Sequence, residues 1–193
     1  MIHTQHVPAK PKEYRIECIE RHLEQAADLL KIPMPEIFFV PRMAQDDQDQ
    51  LIITKTPYED PENGHPGFHL IQGLCRMDSD GSIQIFVASH GDWQGPGYLL
   101  ESQLLYISLH ELRHAWQYTY DMMLEEPSDL EHMLCPCEID ADAFAVVYLR
   151  NRAREYRVSR ALRGFDEPWE LDDDRRIERA NEIELELFPE IEG

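Results

Sequence analysis

No stretch of about 18 or more apolar residues occurs, so no segment is expected to cross a membrane as a helix. Basic side chains are scarce: 18 Lys and Arg stand against 38 Asp and Glu, a formal net charge of −20. A surface that negative repels phosphate backbones and anionic headgroups, so neither nucleic acid nor a membrane is expected as a partner. The sequence also lacks a cysteine framework. Its four cysteines, Cys18, Cys75, Cys135 and Cys137, form no CxxC pair, and the last two are too close to bridge each other readily. Reduced thiols and a cytoplasmic protein are expected. Residues 1–12 carry His3, His6, Pro8 and Pro11 in place of a basic and then apolar leader, so a secretory signal is not expected either. No internal repeat is present.

What remains is a globular composition, 42% hydrophobic and 29% charged over 193 residues, enough for one domain whose core needs no disulfides. The acidic balance ordinarily serves solubility; its sharper reading is attraction of a basic peptide or protein substrate. Ile16, Ile19, Leu23, Ala26, Ala27 and Leu30 share one helical face within 13–31, and Pro33 and Pro35 stop that helix. Residues 36–40 read as a strand, 44–50 as a loop and 51–56 as a weak strand. The Asp-Ser-Asp-Gly turn at 78–81 separates two strand-like runs, 68–77 and 82–88, the pattern of a hairpin. Residues 98–120 form a long, strongly apolar helix, and 138–154 a second helix with Ala141, Phe144, Ala145, Tyr148 and Leu149 at helical spacing. Residues 166–193 hold 12 acidic residues and 3 arginines. Ile177, Ala180, Ile183 and Leu187 favour a docked helix there, although Ile183, Leu185 and Leu187 also alternate like a strand. The chain thus divides into a flexible arm (1–12), a domain (13–165) and an acidic C-terminal extension (166–193).

The chemistry concentrates in the long helix. His110-Glu111-Leu112-Arg113-His114 is an HExxH motif. Residues i and i+4 stand one above the other on a helix, so two imidazoles can bind one ion, and zinc accepts neutral imidazole nitrogen while leaving a position open. Glu111, one residue past the first histidine, can lean over a bound water and take its proton. A chance HExxH would sit among charges on a solvated face; this one lies in the most apolar helical segment of the chain.

A third ligand is available in Glu138, 24 residues beyond His114, with Asp142 one turn further on the same face. Glu138 can bind the ion while Asp142 accepts an Nδ1–H from a ligating histidine. The bland alternative is that Glu138, Asp140 and Asp142 are an acidic helix start complementing the helix dipole. His132, Cys135 and Cys137 offer another cluster, but Cys-x-Cys is not a common zinc spacing. A histidine six residues beyond His114 would suit another class of zinc site; Gln117 and Tyr120 stand at +3 and +6. Tyr148, Tyr156, His132 and Arg113 are candidates to stabilise an oxyanion, with no ground for choosing among them. Among the other histidines, His90 is singled out by its place on the loop before the active helix.

The pattern LHELRHAWQ…CEIDADAFAVVYL, HExxH followed by Glu-x-x-x-Asp on a second helix, resembles the gluzincin class of zinc metallopeptidases, and in particular the small bacterial and phage ImmA/IrrE-like members. The resemblance spans about residues 83–150. It implies an α+β, zincin-like domain with an N-terminal helix, a small, twisted, mostly antiparallel sheet, a central HExxH helix and a second, Glu-bearing helix. It further implies one Zn²⁺ per chain on His110, His114 and Glu138, Glu111 as the general base and Asp142 behind the ligands. The expected activity is hydrolysis of peptide bonds by a zinc-bound water. The alternative is a non-catalytic interaction or regulatory protein in which zinc is structural. In zincin-like sites an extended substrate adds to a sheet edge. The strand just before the active helix, with Ile83, Gln84 and Ile85, is expected to supply that edge.

Overall fold

The computed structural model describes residues 2–3, 16–46, 48, 50–56, 59–62, 65–91, 97–98, 101–122, 135–152 and 174–189. The fold is α+β. Its strands are β1 (Ile2–His3), β2 (Glu36–Val40), β3 (Met43–Gln45), β4 (Leu51–Ile53), β5 (His69–Ile71), β6 (Gly73–Met77), β7 (Ile83–Ala88), β8 (His90–Gly91) and β9 (Gly97–Tyr98). Its helices are α1 (Ile16–Leu30), α2 (Glu101–Thr119), α3 (Pro136–Arg152) and α4 (Asp174–Leu187). No helix among the described residues is long and apolar enough to cross a membrane.

Helix α1 forms where the apolar spacing places it, burying Ile19, Leu23, Ala26, Ala27 and Leu30. It stops before the prolines. Lys31 takes the left-handed conformation (φ 57°), and the N–H groups of Lys31 and Ile32 bond back to Asp28 O and Ala27 O, closing the last turn. Helix α2 ends in the same way at Asp121 (φ 53°), with Met122 N–H donating to Gln117 O.

The main sheet has the order β1-β2-β7-β6 and is mixed: β1–β2 and β2–β7 are parallel and β6–β7 is antiparallel. The arm is therefore not wholly loose, since Ile2 and His3 pair with Ile37 and Phe38. The antiparallel character expected of the sheet holds for the β6–β7 hairpin and for two small sheets, β4-β3-β5 and β8-β9. The hairpin turns where Asp-Gly placed it, with Gly81 at φ 84° and Asp78 N–H donating to Ser82 O. The run 68–77 is not one strand. It breaks at Gln72, whose carbonyl accepts from Ala88 N–H, so that β5 joins β3 and β6 joins β7. Residues 43–45, placed largely in a loop by their polarity, are the centre of that second sheet.

Strand β7 is interior. Gln84 to Ala88 pair with β2 on one side, and Ile83 to Val87 pair with β6 on the other. The expectation that Ile83, Gln84 and Ile85 form a free edge is overturned, and the physical reason lies in the strand itself. Ile85 and Val87 enter the core beneath the helices, while Phe86 and Ala88 enter a second cluster with Val40 and Met43. A strand apolar on both faces is covered on both faces. The outer strands of the described sheet are β1 and β6, and Arg76 and Met77 of β6 are exposed.

Helix α1 packs on α2, α2 on β6, β7 and α3, and α3 on α4. Helix α3 is buried on nearly every side from Cys137 to Leu149, and Ala141, Ala143 and Ala145 let its neighbours approach closely. Ala180 and Ile183 bury the inner stripe of α4 in the same core. The HExxH segment thus sits at the middle of the molecule, between the outer strand of the sheet and α3.

Candidate metal centre

His110 and His114 lie one turn apart on α2, and Glu138 faces them from the first turn of α3. His110 Nε2 lies 3.0 Å from His114 Nε2, and the two nitrogens are 3.2 and 3.3 Å from Glu138 Oε2 and Oε1. The three donor groups all fall within 4.8 Å of one another. Ligands on a tetrahedral zinc with bonds of about 2.0–2.1 Å stand about 3.3 Å apart, so these spacings fit one ion. The donor chemistry fits as well. Two imidazole nitrogens turned toward each other and toward a carboxylate need a cation or a proton between them.

The far nitrogens are also engaged. His110 Nδ1 is 2.9 Å from Asp142 Oδ1, and His114 Nδ1 is 2.8 Å from Gln117 Oε1. An acceptor at Nδ1 places the hydrogen there and leaves the Nε2 lone pair for the centre. Without a cation the cluster holds protons instead. Burial alone would lower His110, but the bonds to Asp142 and Glu138 outweigh it and push it up to about 10. His114 is raised for similar reasons: burial opposes, and Glu138 and the charge of Glu111 prevail. Burial would raise Glu138, yet its two histidine partners hold it far below the usual carboxylate range.

Glu111 stands beside the cluster and does not join it. Burial raises its affinity for a proton; the two histidines and a bond from Cys75 N–H oppose that rise. Cys75 turns its N–H from β7 toward this carboxylate, so the outer side of β6 faces the site. Gly73 is what lets the carboxylate in. A Cβ there would overlap Glu111 Oε1 and lie 2.8 Å from its Cδ.

Behind the ligands lies a second arrangement that the sequence did not announce. Arg113, only 2% exposed, donates to Asp140 Oδ2 from Nε at 2.7 Å and to Oδ1 from a terminal nitrogen at 3.0 Å. Its guanidinium lies 3.7 Å from the centre of the Trp116 ring. Gln117 Nε2 donates to Asp140 Oδ2 at 2.9 Å, and Arg179 Nε to Oδ1 at 2.7 Å. Asp142 in turn accepts from Tyr106 OH at 2.7 Å and from Arg176 Nε at 2.8 Å. Two oxyanion candidates are thereby committed elsewhere: Arg113 to Asp140, and Tyr148 to His22 O at 2.9 Å in the core. His132 and Tyr156 lie outside the described residues. His90 bonds its neighbour Ser89 through Nδ1. Cys135 and Cys137 are buried free thiols outside the metal-competent group. Signals for the missed residues existed: a lone arginine inside an apolar helix, and three arginines in a strongly acidic segment.

Compared with protein-family models, with curated proteins and with solved structures, the chain gives no match.

Proposed function

We propose that this chain is a zincin-like metallopeptidase that holds one zinc ion on His110, His114 and Glu138 and hydrolyses peptide bonds. The observation that carries the reading is the convergence of two Nε2 atoms and one carboxylate, with both Nδ1 atoms already engaged. A zinc ion, when bound, supplies a Lewis acid that acidifies water and polarises a carbonyl oxygen. Glu111 receives a proton on its carboxylate and returns it to the leaving amine. Its burial keeps its proton affinity above that of a solvated carboxylate, which suits a base that must also give the proton back. Among the described residues no fourth protein donor joins the group, which favours an open, catalytic position over a closed structural site.

The substrate strand is β6 in place of β7. It is the outer strand of the sheet on the Glu111 side, so an extended peptide added there runs past the base. A formal charge of −20 favours a basic peptide, and four free thiols suit a cytoplasmic setting. Elemental analysis of the wild type and of a His110→Ala, His114→Ala double variant, beside cleavage of a peptide library, tests the reading. About one zinc per wild-type chain and none in the variant is expected from the geometry. Undiminished zinc in the double variant overturns it.

A further inference from the structure

Helix α4 belongs by sequence to the acidic extension, yet two of its three arginines point inward. Each ends one hydrogen-bonded path to a different ligand histidine. Arg176 Nε holds Asp142 Oδ2 at 2.8 Å, and Asp142 Oδ1 holds His110 Nδ1 at 2.9 Å. Arg179 Nε holds Asp140 Oδ1 at 2.7 Å, Asp140 Oδ2 accepts from Gln117 Nε2 at 2.9 Å, and Gln117 Oε1 meets His114 Nδ1 at 2.8 Å. We propose that α4 is a working part of the metal centre, with Arg176 a positioning residue that sets the His110 ring through Asp142 and Arg179 its weaker counterpart for His114.

The two paths differ in burial and in length. The Arg176 side chain is 11% exposed and acts through one residue; that of Arg179 is 31% exposed and acts through two. Asp142, with Arg176 and Tyr106 fixing its carboxylate, has one orientation in which Oδ1 receives His110 Nδ1–H. Removing Arg176 frees that carboxylate to rotate, and the imidazole loses its fixed direction. Asp140 keeps Arg113 when Arg179 is removed, so the His114 path is buffered.

The inference rests on the zinc reading above, and the experiment separates the two. Zinc affinity of the full chain is measured by chelator competition, and the visible absorption of the cobalt-substituted protein reports ligand geometry. Arg176→Met is expected to weaken zinc binding about 10- to 100-fold and to alter the cobalt spectrum, with Arg179→Met costing less. Arg176→Lys recovers part of the loss, and Glu178→Gln, on the exposed side of the same helix, changes nothing. In an Asp142→Asn background Arg176→Met costs no further affinity, because its route to His110 is already cut. If Arg176→Met does not fold, as judged by circular dichroism of the metal-free protein, Arg176→Lys against wild type carries the test with a smaller expected loss. Tight wild-type zinc binding that Arg176→Met leaves unchanged, or the same loss with and without Asp142, overturns the role of α4 and leaves the metal reading intact. A wild type that binds no zinc removes both.

Discussion

The two nitrogens of each site histidine look onto different regions. In front, the Nε2 atoms meet Glu138 with Glu111 beside them, and three of those four residues come from five consecutive positions on one helix. Behind, the Nδ1 atoms meet Asp142 and Gln117, which are held by side chains from α2, α3 and α4. The front is set by helical spacing. The back is set by tertiary packing of segments more than twenty residues apart, from Gln117 and Asp140 (|i−j| 23) to Arg179 and Asp140 (|i−j| 39). The difference teaches that a local motif can define the reacting groups while distant chain holds them in place. It also predicts that damage to Glu111, beside the front group, reads out as lost turnover with zinc retained, and damage behind as lost metal affinity or stability.

Glu111→Gln tests the front most severely. It is expected to keep zinc and fold while turnover falls by about 10² to 10⁴-fold, since an amide cannot accept the proton. Zinc content and steady-state cleavage measure this, and activity that survives the change removes Glu111 from the mechanism. Asp140→Ala tests the back. It leaves Arg113, 2% exposed, buried without its carboxylate, and a loss of about 3–5 kcal/mol is expected in denaturant unfolding. The loss depends on pH with a definite sign. Burial would raise Asp140, but Arg113, Gln117 and Arg179 hold it below its ordinary value of 3.8. The pair's contribution is therefore complete above that value and disappears as pH falls through the lower, folded-state one. Wild type and variant should converge in strong acid, and a gap that stays constant to low pH would show that the carboxylate charge is not the cause.

Gly73→Ala sharpens the contrast with the smallest chemical change. One methyl displaces the Glu111 carboxylate while Arg113 and Asp140 keep their contacts. Turnover is expected to fall about 10²-fold, the scale associated with misplacing a catalytic group by about 1 Å, with zinc retained. A Gly73→Ala variant that matched the wild type in cleavage would show that β6 shifts to make room.

What could be read in advance follows the same division. Helix geometry alone paired His110 with His114 and Glu138 with Asp142, because i,i+4 spacing is fixed within a helix; the meeting of the two pairs depends on the packing of α2 on α3. Helices α1, α2 and α3 were legible from apolar periodicity, and the end of α1 from Pro33 and Pro35. Strand order was not, because alternation tells which face a strand buries and not which neighbours it has; Ile85-Phe86-Val87 nonetheless carried the two-sided signature of an interior strand. The break at Gln72 was hidden because its two halves are each strand-like. Three arginines in an acidic segment were a signal, but which of them turn inward, Arg176 and Arg179, is decided only by the partner on which the helix packs.

The position of α4 in the chain has a consequence for assembly. His114 and Arg176 are 62 residues apart. At a synthesis rate of about 5–20 residues per second, His114 is made about 3–12 s before Arg176. Asp142 precedes Arg176 by 34 residues and Asp140 precedes Arg179 by 39, so in the later part of that interval both carboxylates lack the arginines that hold them in the finished fold. A chain still being made thus has its two histidines and Glu138 before the arginines that fix the carboxylates behind them, and an ion taken up at that stage is expected to be held less firmly than in the finished fold.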